Sequence, residues 1–300
     1  MRSFVPLLAL LFGGALPCGC TGTMTPHRPT QRGFRLPPRR CVIPHVDRGL
    51  RLFAPVGHIR VRPSNDAYLE KRLTISAESS EEANSIGKGC QIRVTKGADG
   101  LTVLKHAVPV DFPIARVGVD STLALPARLI LDLRTRSGLI DTTQYAATVA
   151  TLATESGTLL VGPVLGQLEF DAGRGRVELR GAFQEAHGVA TDGSVLCRLD
   201  KSARRLRLVS RGGDLTLVAP QGVAALIRYR TVSGDWDVTP AGSVAVVEST
   251  HGDGRRWGDT VLRIGPPQAN ATDIRFESET GNLTIRCSNS ASQPGPQSSR

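Results

Sequence analysis

Three observations predict an all-β chain wound as a single-domain β-solenoid, with coils of roughly 20 residues and an irregular N-terminal end. First, the 300 residues are 40% hydrophobic but only 4% aromatic, with 32 Gly and 19 Pro, which suits short strands joined by turns better than a helical bundle. Second, one phrase recurs, a Gly with apolar residues two and four positions later, at Gly57, Gly157, Gly175, Gly193, Gly213, Gly234 and Gly281. Gly138 carries a weaker copy, because Thr142 takes the second apolar place. Third, the steps between Gly138 and Gly234 are 19, 18, 18, 20 and 21 residues, a stride regular enough to mean one structural coil per repeat.

The elements follow in chain order. Residues 1–20 read as a signal segment, since Arg2 supplies a positive start and Phe4 to Leu16 is an apolar run too short to span a bilayer as a helix. Cys20, preceded by Gly19, stands where a bacterial lipoprotein signal places its lipidated cysteine, although Pro17 departs from that pattern. Residues 21–40 are rich in Pro, Arg, Thr and Gly without apolar period and are expected to be a linker. The folded domain is expected over 41–287. Residues 288–300 hold only small, polar and basic types and are expected to form a disordered tail.

Within the domain, strand-like runs fall at Leu69–Ser76, Gln91–Thr95, Leu101–Lys105 and Val117–Leu125. Ser79 to Ser85, with Glu81 and Glu82, predicts a short capped helix. From Gly138 onward each coil reads strand, corner, strand. Period-two alternation, as in Leu129, Leu131 and Leu133, turns one face inward, and successive coils must stack to bury it. Cys197 shares the inward register of Val161 and Leu179, Cys90 shares phase with Ile92 and Val94, and Cys287 with Ile285, which favours core thiols over disulfides.

The phrases "LPARLILDLRTRSGLIDT", "ATESGTLLV", "RTVSGDWDV" and "SETGNLTIRC" resemble the Ser-Gly-Asp repeats of the bacterial putative-adhesin domain, the LiaG-like family of unknown function. The likeness runs from about Leu50 to Arg286. It implies a β-solenoid on the outer side of a bacterial membrane and brings no catalytic residues with it. The sequence departs from the pattern in its many outward Arg residues and in the long interval from Gly234 to Gly281.

Chemistry is sparse. The formal net charge is +10, and of the 37 basic residues all but five are Arg, which invites an anionic partner. Too few aromatics are present to stack bases, so nucleic acid is not expected. Arg207 and Arg228 share a register on coils expected to be adjacent, and they form one candidate binding patch. The second is the segment His251, Asp253, Arg255, Arg256 and Trp257, which gathers base, acid, cation and aromatic inside the long interval. Asp214, Asp235 and Asp237 are the carboxylates that a glycan-cleaving site would need, set against the simpler reading that Asp after Gly satisfies turn amides. The histidines show no metal-ligand spacing, and no cofactor or metal is expected.

The leading expectation is an exported, non-catalytic adhesin-like protein or cell-envelope scaffold, periplasmic or at the cell surface. Its expected partners are an envelope glycan or another envelope protein, and the membrane through a lipid anchor. The alternative is a polysaccharide-degrading β-helix enzyme using the three Asp residues.

Overall fold

In the computed structural model, which describes residues 31–44, 46–109, 112–113, 116–180, 182–240, 244–250, 257–268 and 270–288, strand structure is already present ahead of Cys41. Strands β1 (Arg32–Arg35) and β2 (Arg39–Val42) lie in the stretch expected to be a linker. Next come β3 (Gly49–Val56), β4 (Ile59–Pro63), β5 (Tyr68–Ala77), helix α1 (Ser80–Gly89), β6 (Gln91–Lys96), β7 (Thr102–Ala107) and β8 (Val117–Leu125). Both β1 and β2 run antiparallel to β5, with Phe34 opposite Ile75 and Cys41 opposite Leu69. Phe34 and Leu36 pack on a small cluster of Leu73, Ile75, Ala83, Cys90, Val117 and Val119. Two apolar residues set no period, so this burial left no pattern to read.

The helix begins where the sequence placed it and runs about one turn beyond Ser85, to Gly89. Ser79 is its N-cap and accepts a hydrogen bond from the Glu82 amide, Glu81 and Glu82 lie in the first turn, and Lys88 lies in the last. Cys90 is buried, but in this small cluster, whereas Ile92 and Val94 of β6 pack on the main core. The alternation expected for these three residues holds, with Gln91 and Arg93 exposed between them, but Cys90 packs on a different cluster from the other two.

Beyond β8 run β9 (Ile130–Asp141), β10 (Val149–Val161), β11 (Val164–Leu179), β12 (Phe183–Ala190), β13 (Ser194–Arg198), β14 (Arg205–Ser210), β15 (Leu215–Pro220) and β16 (Ala225–Thr231). The chain continues through β17 (Trp236–Thr239), β18 (Val244–Ser249), β19 (Gly258–Ile264), β20 (Thr272–Ser278) and β21 (Leu283–Ser288). All described strands join in one hydrogen-bonded sheet, and α1 is the only α-helix among the described residues. Two parallel ladders carry it. The first pairs β7, β3, β9, β10, β11, β12, β14, β20 and β16 in that order. The second pairs β8, β4, β9, β10, β11, β13, β15, β21 and β17. Strands β9, β10 and β11 are long enough to belong to both, and they pass from one to the other at Gly138, Gly157 and Gly175.

The corner glycines form a column of their own. A Cβ built on Gly157 would lie 2.1 Å from the Gly138 carbonyl oxygen, and one on Gly193 would lie 2.1 Å from that of Gly175. The same relation links Gly57, Gly138, Gly157, Gly175, Gly193, Gly213, Gly281 and Gly234 in turn. Only Gly57, Gly138 and Gly175 of these adopt positive φ. Close approach of backbone to backbone, more than conformational freedom, therefore excludes a side chain along the column.

The inward columns match the expected alternation. Leu131, Ala150, Leu168, Ala186, Leu206, Ile274 and Ile227 follow one another across the first ladder. Ile140, Leu159, Val177, Val195, Leu215 and Leu283 do so across the second. Both columns belong to one core, in which Leu159, Val177 and Leu215 have no exposed surface. Each such buried side chain contributes roughly 1.5–3 kcal/mol.

The order of the last rungs differs from the chain order. The strands β20 and β21 lie between β14/β15 and β16/β17, so the rung of Gly281 separates the rungs of Gly213 and Gly234. The long interval makes this possible, because β19 runs antiparallel along the outer edge of β16, with β18 beyond it, and returns the chain to the gap. Tyr229 and Phe276 then stack at 5.4 Å, and the Tyr229 hydroxyl donates to the Gly281 carbonyl at 2.5 Å. The outer strands β18 and β19 cover one end of the first ladder, while β6 covers the other through β7. Paired edges of this kind hide unpaired backbone groups.

Candidate functional site

The outward face of the first ladder presents its side chains in columns. One column reads Arg51, Asp132, Thr151, Glu169, His187, Arg207, Arg275 and Arg228. Arg207 and Arg228 do share a register, as expected, but they are not on adjacent rungs: Arg275 stands between them. Glycine spacing could not reveal this, since the rung that carries Arg275 comes last in the chain.

Carboxylates balance part of this patch. Asp273 pairs with Arg228 through a short hydrogen bond and with Arg275 Nε at 3.4 Å, and Glu185 pairs with Arg205 at 3.0 Å. Arg207 has no ion pair among the described residues. His187, Arg205, Arg207 and Arg275 line a cavity of about 190 Å³. A second cavity, of about 390 Å³, shares His187 and Arg207 and extends over Thr151, Glu169, Val189 and Val209. Val189 and Val209 face each other on neighbouring strands and are each 44% exposed. The Nε2 of His187 is buried with no hydrogen-bond partner among the described residues.

The three Asp residues do not converge. Asp214 Oδ1 accepts the Asn282 amide at 2.8 Å, and the Asn282 side-chain oxygen accepts the Asp235 amide at 2.9 Å. Asn282 thus separates Asp214 from Asp235, and the carboxylate of Asp214 serves a turn amide on the next rung. Asp237 is exposed on β17, in register with Thr284. The rung of Gly281 separates those of Asp214 and Asp235, just as the rung of Arg275 separates those of the two arginines.

Of the second candidate patch, His251, Asp253, Arg255 and Arg256 lie outside the described residues, as do Cys20, the rest of residues 1–20 and the tail from 289. Trp257 is 40% exposed, with the Arg230 guanidinium 5.0 Å from its ring centre.

Much of the arginine excess is held internally. Glu178 is buried beneath Arg180 at 2.7 Å, Arg176 at 3.5 Å and Arg198 at 3.8 Å. The Arg180 hydrogen bond, with the charges around it, holds the Glu178 carboxyl below the usual carboxylate range despite its burial. Asp132, also buried, is held by Arg51 at 2.5 Å and Arg134 at 2.8 Å. Neither was singled out from sequence, because a lone acid among arginines looks like any solvated strand face.

A subtler signal was missed. Ser210, Ser278 and Thr231, each three residues before a corner glycine, accept the amides of Gly213, Gly281 and Gly234 at 2.7–2.8 Å. The same spacing occurs at five of the eight corners, Thr135 and Thr154 included, whereas Ala54, Ala172 and Ala190 stand there at the other three.

Cys41, Cys90, Cys197 and Cys287 form no disulfide. Burial pushes the Cys197 thiol up to about 12. Among the described residues no group of three or more His, Cys, Asp or Glu is arranged to hold a metal ion. No described helix is long and apolar enough to cross a membrane.

No family model and no curated protein matches the chain. Among solved structures it is similar to a putative cell adhesion protein from Clostridium sporogenes, at 11% identity over 84% of this chain and 99% of the other, with a TM-score of 0.38. A putative adhesin from Bacteroides fragilis follows at 9% identity, over 87% and 99% of the two chains, with a TM-score of 0.37. A putative lipid binding protein from Parabacteroides distasonis has 11% identity, over 84% and 97%, with a TM-score of 0.33. These likenesses are distant, and no residue or role is carried over from them.

Proposed function

We propose that the protein is an exported β-solenoid of the putative-adhesin type, anchored through lipidated Cys20, that binds a cell-envelope component on its lateral face without catalysis. The observation that carries the reading is the outward column through His187, Arg207 and Arg275, where stacked rungs present cations beside open cavities. The coil-on-coil winding is supported by the glycine column and by the two in-register parallel ladders that share one apolar core. Absence of catalysis is supported by the use of Asp214 as a turn cap and by its separation from Asp235. An envelope glycan is the partner this face suits best, since a polymer can follow side chains repeated at rung spacing.

The test is co-sedimentation of the full chain with isolated peptidoglycan sacculi and with insoluble acidic and neutral glycans, with reducing ends assayed in the supernatant. Retention without new reducing ends is the expected result. Release of reducing ends or unsaturated products that Asp235→Asn abolishes would establish the enzymatic alternative. Mass measurement of membrane-extracted protein tests the anchor: a mature chain beginning at residue 20 with added acyl mass is expected, and an unmodified chain refutes it.

A further inference from the structure

The geometry points to an oxyanion subsite formed by His187, Arg205, Arg207 and Arg275 that seats one acidic group of an envelope glycan, an assignment that rests on the binding role proposed above. The smaller cavity is lined by these four side chains alone, with no carboxylate and no apolar residue among them. Its volume of about 190 Å³ admits a sulfate, phosphate or carboxylate group with the start of the sugar that bears it. Glu185 and Asp273 neutralise Arg205 and, in part, Arg275, whereas Arg207 sits at the centre with no counter-charge among the described residues. Like charges on neighbouring strands repel. A bound oxyanion would relieve that repulsion and accept charge-assisted hydrogen bonds from Arg207 and Arg275.

The neighbouring cavity decides which source of oxyanion fits. It continues across the rungs from His187 and Arg207 toward Thr151, over the exposed apolar pair Val189 and Val209. Sugar rings offer both hydroxyls and C–H faces, and such a mixed floor suits them. A flat anionic membrane suits it poorly, because Glu169 and Asp171 line the same cavity and would face the headgroups. The occupant is therefore a chain with acidic groups spaced by neutral surface, following the groove across the strands.

Isothermal titration of the full chain tests this, with a hyaluronan-derived tetrasaccharide, whose acidic sugars alternate with neutral ones, as acidic probe and chitotetraose as its neutral counterpart. Inorganic sulfate and vesicles of equimolar phosphatidylglycerol and phosphatidylcholine complete the set. The tetrasaccharide is expected to bind with an affinity that falls as salt rises. Arg207→Gln and Arg275→Gln should each weaken it about tenfold, the equivalent of one charge-assisted contact. Arg93→Gln, at an exposed arginine of β6, should leave it unchanged. Arg207→Gln removes no ion pair, so its loss of binding is not a loss of fold. Unchanged binding in both variants, or equal affinity for chitotetraose, overturns the subsite. Vesicle binding sensitive to Arg207→Gln without tetrasaccharide binding overturns the glycan assignment in favour of a lipid headgroup, and sulfate binding as tightly as the tetrasaccharide overturns the groove. Sacculus retention without tetrasaccharide binding refutes the subsite and spares the envelope role. Tetrasaccharide binding lost in Arg207→Gln, without sacculus retention, does the reverse.

Discussion

Replacing Gly193 with alanine separates two explanations of the corner glycines. Gly193 does not have positive φ, so if backbone freedom were its only role, alanine would be neutral or stabilise by about 0.4–1 kcal/mol through the unfolded state. The structure predicts the opposite sign. The new Cβ would lie 2.1 Å from the Gly175 carbonyl oxygen, well inside the 3.4 Å at which ordinary contact begins. Since the obstacle is backbone on the next rung, the two rungs must part, which strains the parallel pairing of β11 with β13 around Val177 and Val195. Weakening two or three ladder hydrogen bonds at about 1 kcal/mol each, together with the misfit of packed residues below, amounts to roughly 2–4 kcal/mol. Gly212→Ala is the control, because its nearest atoms, Thr280 Oγ1 at 3.4 Å and Asp192 Oδ1 at 3.7 Å, leave room. Urea denaturation followed by far-ultraviolet circular dichroism reads both variants. A midpoint for Gly193→Ala at or above that of the parent would refute the close-approach account of the column.

Three further outcomes are expected. His106, largely buried and near Lys71, has its pKa lowered by burial to about 4, so the unfolded chain takes up this proton first as pH falls. The associated stability is intact above pH 6.5 and is lost by about pH 4, a total of about 3 kcal/mol; a His106→Gln variant whose urea midpoint declines as steeply as the parent's would refute it. Glu178→Gln, which removes the charge beneath Arg176, Arg180 and Arg198, should cost about 1–2 kcal/mol at neutral pH. Because the folded pKa of Glu178 is depressed, that difference should vanish as pH falls below the ordinary carboxylate range, and a cost that persists at low pH would show packing as its cause. Cys197, buried and with its thiol pushed up to about 12, should resist iodoacetamide at pH 8.5 until the chain unfolds, whereas the part-exposed Cys41 should react in the native protein; mass spectrometry of tryptic peptides decides, and labelling of native Cys197 would refute its burial.

The candidate patch was only half legible. Arg207 and Arg228 were chosen because they sit at equal distances from their corner glycines, and the structure keeps them in one column. The members that give the patch its shape, Arg275 and His187, stand at the same six-residue distance before Gly281 and Gly193, so their column was legible too, but not their neighbours in it. Their roles depend on which rung lies beside which. The ion pairs of Glu178 and Asp132 escaped for a related reason: a carboxylate is recognised as buried only when the arginines of its own strand and of the next rung are seen to close over it.

What the sequence determined unaided is the local grammar of the chain: where strands run, which of their faces turns inward, where corners fall, and the capped helix after Ser79. Those features are written in side-chain alternation, glycine and hydroxyl spacing, and each is decided within a few residues. The tertiary structure alone decided that the rung of Gly281 enters between those of Gly213 and Gly234, and that residues 32–42 join the sheet through β5. Rungs with the same alternation offer nearly the same hydrogen bonds and apolar face to any neighbour, so their order rests on long-range fits such as Tyr229 against Phe276.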